Sequence, residues 1–481
     1  MTKKNGPVFA FNGIDGTTGE PFYPAATFAE MNALAQNRPE PQETAQTLYK
    51  ERMAESRLQP GAVRDGFDPR DLASSGWGVV FPQNVDPEVR EALAPLVEHR
   101  RRQATVLVEH RFRELDYRPD ESKRTFLKRY GVAPSRAADP DRLPYYLLLV
   151  GNPGEIPWSF QHHLAVQYAV GRLDFDTAEE YACYAETVIA AETGKLAARP
   201  RRLVLFGTAH DQTTELMAEH LIVPLRTALS SSPYPVETIL ADCATKERLA
   251  RLLGGDDTPA LLFTASHGMS FPAGNPQQLA RQGALLCQNS SGGGIGPDVY
   301  LTGEDVAAGA RPAGLMAFFY ACHGAGTPQF GIYPQRDASG NGSSCQEEHR
   351  LLSPSPFVAH LPRRLLGHPA GGALAVIGHV ERTWGYSFLA DGLGSQTEVF
   401  EDCLKRLLDG CPVGAALEPF SLWLGQLATE LTSLLEEPDE NRDPAEKREL
   451  VRLWTAHNDA RAYALLGDPA VRLPTSRSVS R

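Results

Sequence analysis

Apolar and polar positions alternate in blocks along most of the chain. Short apolar runs of strand length are separated by longer stretches with helical spacing. Tyr145 to Gly151 (Tyr-Tyr-Leu-Leu-Leu-Val-Gly), Tyr168 to Leu173, Arg202 to Gly207 and Val236 to Leu240 are runs of the first kind. Ala260 to Ala265, Leu315 to Tyr320 and Ala373 to Gly378 continue the series. Runs this short and this apolar, bounded by Gly, Pro or Asn, predict strands buried on both faces. Between them, Asp176 to Lys195 repeats Ala178, Tyr181, Ala182, Ala185, Val188 and Ile189 at helical spacing, with Asp176 and Glu179 as a capping box. Thr213 to Leu229 and Lys246 to Leu253 are further predicted helices. Upstream, Asp86-Pro87-Glu88 opens a helix through Leu93, Leu96, Val97 and Ala104, with an N-cap followed by Pro at the first helical position. Strands alternating with helices predict an α/β fold, a mostly parallel sheet with helices on both faces.

Length changes the picture by suggesting more than one unit, since 481 residues exceed one ordinary core. Residues 1–142, rich in Pro, Gly and charge, read as an N-terminal accessory region: a pro-segment, a sensor or a docking surface. Residues 143–200 read as a first α/β subdomain, 201–475 as the main subdomain and 476–481 as a tail. Polar inserts at 287–298, with Gly292-Gly293-Gly294, and at 334–350, with Gly340 to Ser344, are long enough to be functional or mobile loops. Residues 436–448 form an acidic, Pro-containing loop. Arg100-Arg101-Arg102 is expected to be a solvated helix face. The net charge of −12 argues against a polyanionic partner, nucleic acid or membrane surface. Seven cysteines without paired spacing argue against a disulfide framework, and without CxxC against a zinc site of that kind. The start has no signal-peptide core, and no stretch reaches the ~20 apolar residues of a membrane span. A soluble protein of a reducing compartment, the cytoplasm, is the simplest expectation, with no cofactor and no metal.

Two of the apolar runs stop at reactive side chains. Ala260-Leu-Leu-Phe-Thr-Ala-Ser-His267-Gly268 ends in an imidazole, and Gly314-Leu-Met-Ala-Phe-Phe-Tyr-Ala-Cys322-His323-Gly324 in a thiol. Parallel sheets place their chemistry at the carboxyl ends of strands. A thiol assisted by a histidine is a nucleophile with its base. A buried cysteine is commonly only a small hydrophobe, and a histidine after an apolar run commonly a hydrogen-bonded structural residue. The pairing of two such strand ends is what favours chemistry here. His323 and Ser266 are poorer candidates, because neighbours on an extended chain face opposite ways.

Thr264-Ala-Ser-His-Gly268 followed by Phe319-Tyr-Ala-Cys-His-Gly324 resembles the paired signature of caspase-like (clan CD) cysteine peptidases, closest to the gingipain-type family and related CHAT domains. Leu147 to Pro157, Tyr168 to Leu173, Ala375 to Trp384 and Ala464-Leu-Leu-Gly-Asp-Pro-Ala470 resemble further segments of a gingipain catalytic domain, in the same order over about residues 143–475. The resemblance implies a caspase/gingipain-like fold and cysteine endopeptidase activity. It implies Cys322 as nucleophile, His267 as catalytic histidine, the backbone N–H groups of Gly268 and Cys322 as oxyanion hole, and Trp384 as a wall of the S1 pocket. For a basic P1 side chain it points to Asp211 and Glu215. It places an acid behind the histidine near His210 or Asp211. Trp384 also reads as ordinary core packing. Glu381 and Arg382, beside it, favour opposite P1 charges; a basic P1 is preferred and an acidic one stays open.

Two functions follow as expectations. One is hydrolysis of a peptide or protein substrate through a Cys322–His267 dyad and a thioester, with the loops at 269–300 and 331–350 closing over the site or being cut on activation. The other is an inactive or conditionally active caspase-like scaffold in a bacterial defence or cell-death system, in which residues 1–142 recruit a protein partner.

Overall fold

The computed structural model describes residues 8–9, 13–20, 26–27, 63–197, 199–288, 296–332, 351–390, 394–436 and 442–474. The glycine-rich stretches at 292–294 and 340–344, residues 437–441 of the acidic loop and the 476–481 tail lie outside the described residues.

A ten-stranded sheet organises the molecule. In chain order its strands are β1 (Trp77–Pro82), β2 (Phe112–Tyr117), β3 (Tyr146–Val150), β4 (Ala169–Leu173), β5 (Leu203–Gly207), β6 (Val236–Leu240), β7 (Leu261–Ala265), β8 (Met316–Tyr320), β9 (Ala375–His379) and β10 (Tyr463–Gly467). Their spatial order is β2-β1-β3-β4-β10-β9-β8-β7-β5-β6. Every pairing is parallel except β9 with β10, so two five-stranded parallel blocks meet back to back. All residues of β3, β4, β5, β7, β8, β9 and β10 are buried, as the uninterrupted apolar runs predict for a sheet covered on both faces. On one face, Phe263, Phe318 and Tyr320 meet Phe400 of helix α4 (Glu398–Leu408) and Phe420 of a later helix. The fold class is the α/β, mostly parallel architecture expected from the sequence.

The N-terminal region differs from expectation. Residues 77–117 supply two strands to this same sheet, so the boundary at residue 142 does not set off an appendage. The C-terminal strand β10 in turn sits beside β4, in the half begun by residues 143–200. A buried ion cluster ties these parts together. Helix α1 (Pro87–Ala104) carries Arg100 inward, where Nε donates to Asp468 at 2.6 Å and both terminal nitrogens reach Glu192 at 2.8 and 2.7 Å. Trp77 donates its indole N–H to the other Asp468 oxygen at 2.9 Å. Arg100 is therefore no solvated residue, although Arg101 and Arg102 are exposed. Helix α2 (Ala178–Glu192) is capped by Thr177 and Glu180, one residue beyond the predicted box, while Asp176 pairs with Arg363.

Candidate functional site

Strands β7 and β8 run side by side with Leu261 opposite Met316 and Ala265 opposite Tyr320, a constant offset of 55 residues. Beyond the strands the pairing persists, since Ser266 N–H donates to the Tyr320 carbonyl at 3.2 Å. The same offset brings His267 level with Cys322 at the carboxyl ends of two adjacent parallel strands. The chains are in contact there. A Cβ built on Gly268 would lie 1.8 Å from the Cys322 carbonyl oxygen, so only glycine fits. Neither the Gly268 nor the Cys322 backbone N–H has an acceptor among the described residues.

Behind His267 stands Asp211. Its Oδ2 lies 2.8 Å from His267 Nε2. Asp211 is the N-cap of helix α3 (Gln212–Met217), and its Oδ1 accepts the Thr214 N–H and hydroxyl, both at 2.9 Å. One carboxylate oxygen thus fixes the helix and the other fixes the imidazole. Burial raises the carboxyl pKa, but the hydrogen bond and charge of His267 and the bonds from Thr214 outweigh it and hold it well below the usual range. His210, the other position considered for this acid, turns away, its Nε2 2.9 Å from the Cys287 carbonyl. A local signal that sequence reasoning did not use is the Asp-x-x-Thr pattern, which pins a carboxylate at a helix start but does not mark His267 as its partner.

Cys322 is fully buried. Its Sγ accepts the Thr383 N–H at 3.3 Å, with the Thr383 hydroxyl 3.8 Å away. Burial is the largest influence on the thiol and pushes its pKa up to about 12, so it is protonated in this state. Nothing in the sequence marked Thr383. His323 takes a left-handed backbone (φ 57°) and turns inward; its Nδ1 lies 3.1 Å from Thr327 Oγ1, and its Nε2 has no partner among the described residues. Burial, helped by the charges of Arg382 and His379, lowers its pKa to about 3.

The remaining expected residues are more dispersed. Trp384 is 2% exposed. It packs with Leu427 and Leu431 of helix α5 (Glu418–Leu435) and Leu450 and Trp454 of helix α6 (Pro444–Arg461), so in this state its ring is core packing rather than a wall of an open pocket. The Trp384 N–H donates to Asp459 at 2.9 Å, and its carbonyl accepts the Tyr320 hydroxyl at 2.6 Å. Asp211, expected in substrate binding, has its carboxylate engaged by His267 and Thr214. Glu215 is exposed in the first turn of α3. Glu381 and Arg382 are both buried, and the Glu381 carboxylate accepts the Ile332 N–H at 3.2 Å. Among the described residues no group of three or more His, Cys, Asp or Glu is arranged to hold a metal ion, and no helix is long and apolar enough to cross a membrane.

No family model and no curated sequence matches the chain. Among solved structures it is similar to one described as "Structure of Protease", with a TM-score of 0.45 and 14% identity over 84% of this chain and 79% of the other. It is also similar to the complex of the pro- and mature domains of Porphyromonas gingivalis RgpB, with a TM-score of 0.41 and 11% identity over 83% of this chain and 81% of that one. Similarity of this degree concerns the path of the chain and says nothing of its chemistry.

Proposed function

We propose that the protein is a cysteine endopeptidase working through Cys322, His267 and Asp211. The observation that carries this is the level register of His267 and Cys322, with a carboxylate on the imidazole Nε2. With Nε2 held by Asp211, Nδ1 is the base. Cys322 Sγ attacks the scissile carbonyl carbon as its proton passes to Nδ1. The oxyanion is held by the N–H groups of Gly268 and Cys322, which have no acceptor among the described residues. The imidazolium then protonates the amine, the C–N bond breaks, and a thioester remains. Water adds to it with His267 as base, and the C–S bond breaks to return the thiol. Asp211 keeps the ring in one orientation and stabilises its cation.

The P1 preference we carry is for Arg or Lys. Since Asp211 is committed to His267, Glu215 is the acid left for that role. Trp384 walls such a pocket only once its ring leaves the cluster with Leu427 and Trp454. The fully buried, protonated thiol favours a conditionally active enzyme over a constitutive one. Turnover of peptide libraries carrying Arg, Lys or Asp at P1 tests both points. Cleavage after basic residues that disappears in Cys322→Ala and His267→Ala supports the proposal; absence of cleavage under every condition favours the scaffold.

A further inference from the structure

Residues 13–20 lie more than 240 positions before His267, yet they dock immediately beside it. Ile14–Asp15 pairs in parallel with Met269–Ser270, the segment that leaves His267-Gly268. The Ile14 N–H points to the Gly268 carbonyl at 3.4 Å, and the Gly16 N–H donates to the Ser270 carbonyl at 2.8 Å. Ile14 is 4% exposed, seated among Met269, Phe271, Leu286 and Tyr300. At Gly16 a Cβ would fall 1.9 Å from the Phe271 ring, so the segment lies flat on that ring only because it has no side chain there.

The segment is itself well formed. Asp15 Oδ1 accepts the Thr17 N–H at 2.7 Å and the Thr17 hydroxyl at 2.6 Å, and the Asp15 and Gly19 N–H groups close the turn on Glu20 and Asp15 carbonyls. On either side, Val8–Phe9 pairs antiparallel with Ala26–Thr27. The two-residue pairing of Ile14–Asp15 thus adds a strand beside the site. Gly268 thereby has its carbonyl facing this strand, while its N–H is one of the two donors assigned to the oxyanion.

An extended peptide that adds a strand to an open edge is a common mode of peptide recognition, with main-chain bonds for affinity and a side-chain cup for selectivity. We propose that the edge Gly268–Ser270 and the cup of Met269, Phe271, Leu286 and Tyr300 form a substrate subsite selecting a β-branched apolar residue, and that residues 13–16 are its intramolecular occupant, which must leave before a peptide is bound. This rests on the peptidase reading above.

The test uses the full chain with Ile14→Asp and Gly16→Val, singly and together, each checked for folding by circular dichroism. A fluorescent peptide of residues 10–20 is titrated into each, and turnover of the best library substrate is measured alongside. Binding of the peptide to the double variant but not to wild type is expected, with turnover raised about tenfold or more and suppressed again by excess peptide. Equal turnover in wild type and variants, or failure of a folded double variant to bind the peptide, overturns the proposal and leaves the peptidase reading standing. Peptide binding by the variants with no turnover in any of them overturns the peptidase reading instead.

Discussion

The two parallel halves of the sheet carry different side chains at their strand ends. In the half containing β3 and β4, the strand ends are braced by Arg172, fully buried, whose guanidinium donates to the Gly151 and Ile156 carbonyls at 2.7 and 2.6 Å and to Gln161 at 2.8 Å. It stacks over Trp158 and leaves no buried donor of its own unmet. In the half containing β7, β8 and β9, the strand ends carry His267 and Cys322 at the same level. His323 and Glu381 hold left-handed backbones, φ 57° and 82°. The His323 Nε2 and one oxygen of the fully buried Asp459 have no partner among the described residues, and two N–H groups beside the thiol have no acceptor among them. Buried polar groups are normally paired, and unmet groups with strained backbone gather where proteins act. One half sets a fully hydrogen-bonded guanidinium at its strand ends, and the other an imidazole level with a thiol. Buried atoms without a partner among the described residues occur in the first half too, Trp158 Nε1 and Tyr168 Oη for example, so the contrast lies in what stands at the strand ends.

Breaking each half should therefore have a different consequence. The largest expected effect is on turnover. Cys322→Ala should reduce peptide cleavage to background, a loss on the order of 10⁴ or more, while a thermal melt moves by only a few degrees. Asp211→Asn should follow, lowering kcat by roughly 10²–10⁴ with KM nearly unchanged, because the imidazole loses its orienting carboxylate. It should also loosen the start of α3, visible as faster amide exchange at Thr214, whose N–H Asp211 caps.

The third effect is on stability. Arg172→Met should destabilise by about 3–5 kcal/mol in denaturant titrations, since three buried acceptors lose their donor. If Cys322→Ala melted earlier than Arg172→Met, the contrast between the halves would be wrong.

The smallest effect is a pH dependence. His323 is held to about 3, below its unfolded value near 6.5. A depressed pKa means that the unfolded chain takes up protons first. The contribution is present above about pH 6.5 and is lost as pH falls toward 3. His323→Asn, which tolerates the left-handed backbone, should flatten the loss of stability over that window in acid titrations. An unchanged slope would mean that other histidines with lowered pKa values, such as His163, carry it.

What the sequence revealed follows from the same contrast. The strand ends at His267 and Cys322 were legible because apolar runs stop there, and buried parallel strands have no other pattern. Their 55-residue separation became meaningful only once β7 and β8 paired, because register is a property of two strands together. Strand β1 went unread although Trp77-Gly-Val-Val-Phe-Pro is buried throughout, since it lies amid Pro- and charge-rich sequence. Arg100 looked like its neighbours Arg101 and Arg102, and only helix phase and the distant Asp468 and Glu192 turned it inward. Trp384 was readable either as pocket or as core, and the packing of α5 against α6 puts it in the core of this state. Asp211 was expected either at the substrate or, with His210, behind the histidine, and its carboxylate meets His267. The decisive contact with His267 crosses 56 residues and leaves no local mark.

The most direct measurement of the central claim is intact-mass and peptide-mapping analysis after incubation with a peptidyl acyloxymethyl ketone carrying Arg at its reactive end. The account predicts one covalent adduct on Cys322 in the Ile14→Asp, Gly16→Val double variant, strongly reduced by His267→Ala and by Asp211→Asn. An adduct on the exposed Cys243 alone, or equal labelling of Cys322 with and without His267, would contradict it.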